Sequence, residues 1–305
     1  MISKFSQKII NNELPNELDW NEHLLDAHKQ SPSMTPKAFA KYFTDEGLNS
    51  YDILAKTLPQ QIKLQNSKNI TIVDLACGDG FLIHSIFKYT NNNINNKNNN
   101  LKIFGFDMSD SELNVAINNI KDPRVHFQNS KANSLPLANQ SIDYILCHMA
   151  FMLMLPIEPV VAEISRILKP TGSFSAVIGR YDLKTIYTDI IKQVYTPILS
   201  KYPKLREFKS GDPRVATLSG LQSLFTKELG FNKVEQLTPI DLNIITDAEG
   251  VWNLSKDMYD FWILSHLEKE DLKTNLINVC KKYEDKNKII KFIFPMNLIT
   301  IQKTS

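Results

Sequence analysis

The chain has 305 residues, 43% hydrophobic and 22% charged, and its 35 Lys plus Arg against 33 Asp plus Glu give a net charge of +2. A chain of this length buries about three quarters of its unfolded surface, so it needs no disulfide or metal staple, and the near-balance of charge argues against a strongly basic nucleic-acid binder. Three scattered cysteines, Cys77, Cys147 and Cys280, argue against a disulfide framework or a zinc cluster, no apolar run approaches the ~20 residues that span a bilayer, and the first twenty residues lack the apolar core of a signal peptide, so a cytoplasmic location is expected.

Residues 1–68 read as a polar, helical N-terminal cover. Phe39, Tyr42 and Phe43 fall at i, i+3, i+4 behind Thr35-Pro36, a helix start. A second helix is expected over 51–64. At Asn69 the pattern changes: Ile70-Thr71-Ile72-Val73 is β-rich and runs into Asp74-Leu75-Ala76-Cys77-Gly78-Asp79-Gly80, after which Phe81, Leu82, Ile83, Ile86 and Phe87 give a helical apolar face. Residues 91–100, with eight Asn, read as a solvated loop.

The alternation then repeats. Residues 101–106 form a strand ending at Asp107, and Ser109 or Asp110 caps a helix with Leu113, Ala116, Ile117 and Ile120 on one side. Strands are expected over 125–128, 141–147 and 174–178, with a helix over 157–168 stopped by Pro170 and Gly172. Beyond Gly179 the rhythm breaks. A helix capped by Ser219 and stopped by Gly230, a strand over 231–237 and a last strand over 291–301 follow. Strands alternating with helices imply a doubly wound, mostly parallel sheet.

Such sheets bind ligands beyond the carboxyl ends of their strands. Gly78 and Gly80 let backbone approach a ligand there, and Asp107, 27 residues after Gly80, can accept hydrogen bonds from both hydroxyls of a ribose. The turn lacks the third glycine of G-x-G-x-x-G and the Gly-Lys-Ser/Thr of a P-loop. That disfavours a pyrophosphate cradle and a nicotinamide oxidoreductase, and narrows the ligand towards an adenosyl compound.

With these residues the sequence resembles the class I S-adenosylmethionine-dependent methyltransferases of the small-molecule, type 11 group. The resemblance is carried by Val73–Gly80, Gly105-Phe106-Asp107-Met108-Ser109, Ala132–Leu137, Ser141–Tyr144 and Ile164–Ser173, in order over roughly 69–180. It implies a Rossmann-like, seven-stranded α/β fold: one domain over 1–305, with 69–180 as the donor-binding core and 181–216 and 238–289 as acceptor lid inserts. It also implies S-adenosyl-L-methionine as cofactor. Asp74 would orient the methionyl ammonium, and Ala76, Cys77, Gly78 and Gly80 would line the methionyl and ribose side. Asp107 would hold the ribose hydroxyls, Met108 would pack on adenine, Ala132 would meet its edge, and Cys147 would face the methionine. The family often has an acidic residue before the alanine; here it is Lys131, which only donates. Either Asn129 or Ser130 substitutes, or adenine binds more weakly.

The reaction implied is in-line transfer of a methyl group to a small or amphipathic acceptor. His148, just past a strand end beside the site, is the candidate base or acceptor contact. Arg180 and Tyr181 at the next strand end suit an acidic acceptor, and Tyr42, Trp252, Tyr259 and Trp262 an aromatic lid. No Asp/Asn-Pro-Pro-aromatic signature is present, which with the balanced charge favours a small molecule over nucleic acid. No metal is expected. Two alternatives stay open: a non-catalytic binding protein on this scaffold, motivated by Lys131, and an RNA or protein methyltransferase.

Overall fold

A computed structural model of the chain describes residues 2–58, 69–90 and 101–304. Its seven strands are β1 Ile70–Leu75, β2 Leu101–Asp107, β3 Val125–Asn129, β4 Ile142–His148, β5 Leu168–Gly179, β6 Thr238–Thr246 and β7 Ile290–Gln302. They lie in one sheet in the order β3-β2-β1-β4-β5-β7-β6. The pairs β1/β2, β2/β3, β1/β4 and β4/β5 are parallel, and β7 runs antiparallel to β5. The chain therefore has the doubly wound, Rossmann-like topology. The strand order reverses between β1 and β4, and the crevice beyond their carboxyl ends is the expected ligand position.

The residues fall into two compact units. One comprises Leu48–Gly179, Gly211–Ile240 and Met296–Ser305. Its strand β1 is built from β-branched residues and is buried from Ile72 to Leu75, as suits a strand covered on both faces. Helix Ile157–Ile167 puts Val160, Val161, Ile164 and Ile167 into a core with Ile145, Phe174 and Ile299. Phe174 stacks on Phe225 at 5.6 Å and meets Phe151 edge-on at 5.0 Å. The three cysteines are free and buried.

The other unit comprises Met1–Gly47, Arg180–Ser210 and Asp241–Pro295. Helix Glu17–Gln30 starts in a capping box between Asn16 and Asp19. It presents Trp20 and His23 to Phe5, Phe208 and Tyr259 in an aromatic core. His23 accepts from Ser3 at Nδ1 and donates to the Tyr259 carbonyl at Nε2, both at 2.9 Å. Burial lowers its pKa.

Several local expectations are corrected. The strand expected over 231–237 is absent; Phe231 makes only an isolated bridge to Lys303. The sixth strand is Thr238–Thr246, where Ile240, Leu242 and Ile244 alternate inward. Its Pro239 is tolerated because β6 is the sheet edge. The helix expected from Ser219 to Gly230 is Leu218–Leu224, capped by the Thr217 side chain on Gly220 N. The helix expected over 51–64 begins as Ser50–Ala55; its second half and the Asn-rich 91–100 lie outside the described residues.

Candidate functional site

The site is built on the turn that follows β1. Ala76, Gly78 and Gly80 all have positive φ (56°, 52° and 80°). At Gly80 glycine is required twice over: the backbone is left-handed, and a Cβ would sit 2.8 Å from Ile120 Cδ1 and 3.2 Å from Phe127 Cζ. At Gly78 the nearest atom to such a Cβ is Glu112 Oε2 at 3.9 Å, so the missing side chain leaves room facing a carboxylate. Helix Phe81–Thr90 starts directly after the turn, with Phe81 N donating to Asp79 Oδ1 at 3.1 Å.

Asp107, at the end of β2, ties the turn to the neighbouring strand. Its Oδ2 accepts from Gly78 N at 2.9 Å and its Oδ1 from Ser109 N at 2.8 Å, while Cys77 N donates to Phe106 O at 2.9 Å. A carboxylate accepts about four hydrogen bonds, so a ribose diol is compatible with these two. Ser109 caps helix Asp110–Asn119. Beside it, Asn129 Nδ2 donates to Met108 O at 3.1 Å and Asp110 Oδ1 at 2.7 Å, and Ser130 N donates to Asp107 O at 3.0 Å. These bonds bring Met108 and the segment leading to Ala132 together. Lys131 is exposed. Ser130 Oγ donates to Ser134 O at 2.8 Å, and the loop is anchored where Leu135 N donates to the Glu163 carboxylate at 2.6 Å.

The electrostatics are one-sided. Asp74, Asp79, Asp107 and Glu112 gather around this turn. Asp74 is 1% exposed and its Oδ2 has no hydrogen-bond partner among the described residues. Burial, with Asp107 and Asp79, pushes its pKa well above the usual carboxylate range. Burial, then Asp74, Asp107 and Glu112, push the Cys77 thiol up; burial, chiefly with Asp74, does so for Cys147. Both stay protonated and unreactive.

His148 ends β4 and is nearly buried. Its Nε2 pairs with Ser50 Oγ at 2.9 Å, its ring stacks on Tyr51 with centroids 3.6 Å apart, and its Nδ1 is buried without a partner among the described residues. Burial lowers its pKa to about 3, so the ring is neutral at physiological pH. Ser50, Tyr51 and Glu112 have no signal in the sequence: no motif gives them a role, and only the packing of helix Ser50–Ala55 and the Gly78 gap reveal them, while Asp79 lies within the quoted turn without an assigned role.

The residues expected to bind the acceptor belong to the other unit, each with its own surroundings. Tyr42 is buried, with Lys41 Nζ 5.2 Å from its ring centre. Arg180 pairs with Asp182 at 2.9 Å and lies 3.7 Å from Asp241, while Tyr181 is exposed. Tyr259 packs on Trp20 and pairs through its hydroxyl with His28 at 3.0 Å. Trp252 is half-buried, and Trp262 carries Lys269 over its ring at 4.5 Å. Tyr42 also lines a cleft of about 550 Å³ with Phe43, Thr44, Asn243 and Ile245.

A family model described as a methyltransferase domain matches residues 66–199. Over those residues the chain is similar to methyltransferase domains. The ubiquinone/menaquinone biosynthesis C-methyltransferase UbiE of Campylobacter jejuni is 30% identical over 117 residues, 38% of this chain and 48% of that protein. The chain thus matches about half the length of its curated relatives. Two solved structures share the fold. A protein described as a type II methyltransferase from Anaeromyxobacter dehalogenans aligns with a TM-score of 0.54 at 14% identity, covering 82% of this chain and 94% of its own. Phosphoethanolamine N-methyltransferase 2 of Haemonchus contortus aligns with a TM-score of 0.50 at 13% identity, covering 96% of this chain and 61% of its own.

The glycine turn and its surroundings fit S-adenosylmethionine on the chain's own terms. S-adenosylmethionine is cationic at sulfur and at its amino group, and the cradle offers a buried, unpartnered carboxylate oxygen at Asp74 within a ring of acids.

Proposed function

We propose that the protein transfers the methyl group of S-adenosylmethionine to a small or amphipathic acceptor, with residues 69–180 as the donor-binding core. The observation that carries this reading is the orphaned, buried Asp74 carboxylate beside the glycine turn and Asp107. When bound, the donor supplies a methyl group activated by a sulfonium, for in-line displacement by the acceptor. Asp74 accepts from the methionyl ammonium, and Asp107 holds the ribose hydroxyls. Ala76, Cys77, Gly78 and Gly80 line the tail, Met108 and Ala132 border the adenine, and Cys147 closes the inner wall. The carboxylates lower the free energy of a cation in the site, and its burial excludes water.

His148 serves as a neutral hydrogen-bonding group facing the reaction, because its low pKa makes it a poor proton acceptor near neutrality. Tyr42, Arg180, Tyr181, Trp252 and Tyr259 are assigned to the acceptor. Of these, Arg180 and Tyr259 must share their charge or hydroxyl with partners they already have. A small-molecule acceptor is supported by the +2 net charge and by the likeness to UbiE, a C-methyltransferase of quinone biosynthesis. No described helix is long and apolar enough to cross a membrane, and we assign the protein to the cytoplasm.

The test is release of S-adenosylhomocysteine when the full chain is given the donor with quinols, phenols or amines. Acceptor-dependent product that vanishes in Asp107→Ala supports the reading. Donor binding with no turnover on these or on RNA and protein would leave a non-catalytic binder, the role for which the exposed Lys131 speaks.

A further inference from the structure

Helix Ser50–Ala55 is fixed more firmly than its six residues would achieve alone. The Asn49 side chain accepts from Asp52 N at 2.8 Å, and Asp52 accepts from Ser85 Oγ at 2.9 Å and Lys88 Nζ at 2.6 Å. These bonds dock the helix against Phe81–Thr90, the helix that leaves the glycine turn. The outcome is a defined place for Tyr51. Its ring lies stacked on His148 (3.6 Å, 16°) and edge-on to Phe81 (4.8 Å, 60°).

These two neighbours bracket the donor cradle. Phe81 follows Gly80 directly. Strand register pairs Asp74 with Leu146, so His148, two residues on, projects from the same face of the sheet as Asp74. Tyr51 is 3% exposed. Burial, with Asp79, Asp74 and Glu112, raises its pKa well above the ordinary phenol value, which keeps it a proton donor at every working pH.

The donor's amino-acid tail carries an ammonium and a carboxylate on one carbon. If Asp74 takes the ammonium, the carboxylate comes to rest within a few ångströms, beside carboxylates that when ionised only accept. It needs a donor there, and Tyr51 is close enough to Asp74 for their charges to interact. We propose that Tyr51 is a donor-site residue whose phenol donates a hydrogen bond to the α-carboxylate of S-adenosylmethionine, with the Ser50–His148 pair as its positioning support. The inference rests on the donor reading above.

Tyr51→Phe keeps the ring stack and removes only the hydroxyl. Calorimetry on the full chain compares S-adenosylmethionine with its decarboxylated form. The variant is expected to lose about tenfold in affinity for S-adenosylmethionine and to bind the decarboxylated compound as the unaltered protein does. Ser50→Ala, which loosens His148, should show the same selective loss to a smaller extent. Equal affinity of Tyr51→Phe and the unaltered protein for S-adenosylmethionine would overturn the proposal. Equal losses for both ligands would also overturn it, since the hydroxyl would then act on the site as a whole. If the unaltered protein binds neither ligand, the donor reading itself falls, and this inference with it.

Discussion

Asp74 sets stability against function. Its carboxyl is buried and its pKa is raised above the unfolded value near 3.9. Between those two values the folded state holds the extra proton, so stability falls as pH rises through that window and stays reduced above it. Asp74→Asn is therefore expected to raise the Tm of the ligand-free protein at neutral pH while weakening donor binding at least tenfold. Thermal unfolding and calorimetry on the same variant check both halves, and unchanged affinity removes Asp74 from the site. A cationic donor favours the ionised carboxylate, so affinity should climb with pH up to the folded pKa of Asp74 and lose that slope in Asp74→Asn.

His148 has the opposite sign. Its folded pKa of about 3 lies below the ordinary 6.5, so the unfolded chain binds more protons between those values. Stability from this group is complete above 6.5 and is lost as pH falls towards 3. At pH 5 the loss is on the order of 2 kcal/mol. His148→Gln should flatten the fall in Tm between pH 7.5 and pH 5; an unaltered fall would show that the ring is not held neutral by burial.

Among the elements, the glycine turn and helix Ser50–Ala55 are the sensitive ones. Gly80→Ala meets both a left-handed backbone and the Ile120 and Phe127 side chains, and should cost about 2–3 kcal/mol in chemical denaturation. A cost below about 0.5 kcal/mol, the range of ordinary surface substitutions, would contradict the turn geometry. Asp52→Ala strands Ser85 and releases Lys88, and should lower stability by about 1–3 kcal/mol. The strand pattern was legible where the local signal was dense: Ile70–Leu75 is β-branched and runs straight into the turn. It failed at β6, which was expected over 231–237 and lies at Thr238–Thr246, where Pro239 is admissible at the sheet edge.

For the whole molecule, the donor cradle could be read from residues close together in sequence, since Asp74 and Asp107 lie on two successive strands and Gly78 on the turn after the first. Tyr51 and Ser50 could not. Their role depends on a helix preceding β1 packing against the end of β4, a contact that spans 98 positions at the Ser50–His148 pair. The unit containing the N-terminus keeps residues 1–47 of the expected 1–68 cover, and residues 48–58 belong with the sheet core, where they wall the cradle.

The near-neutral total charge hides a local excess of carboxylates, which is what a cationic ligand needs. The most direct measurement is calorimetric titration of the full, unaltered chain with S-adenosylmethionine at neutral pH. One site per chain, with a dissociation constant between about 1 μM and 1 mM, is the predicted result. No binding heat and no rise in Tm at about 1 mM donor would contradict the account.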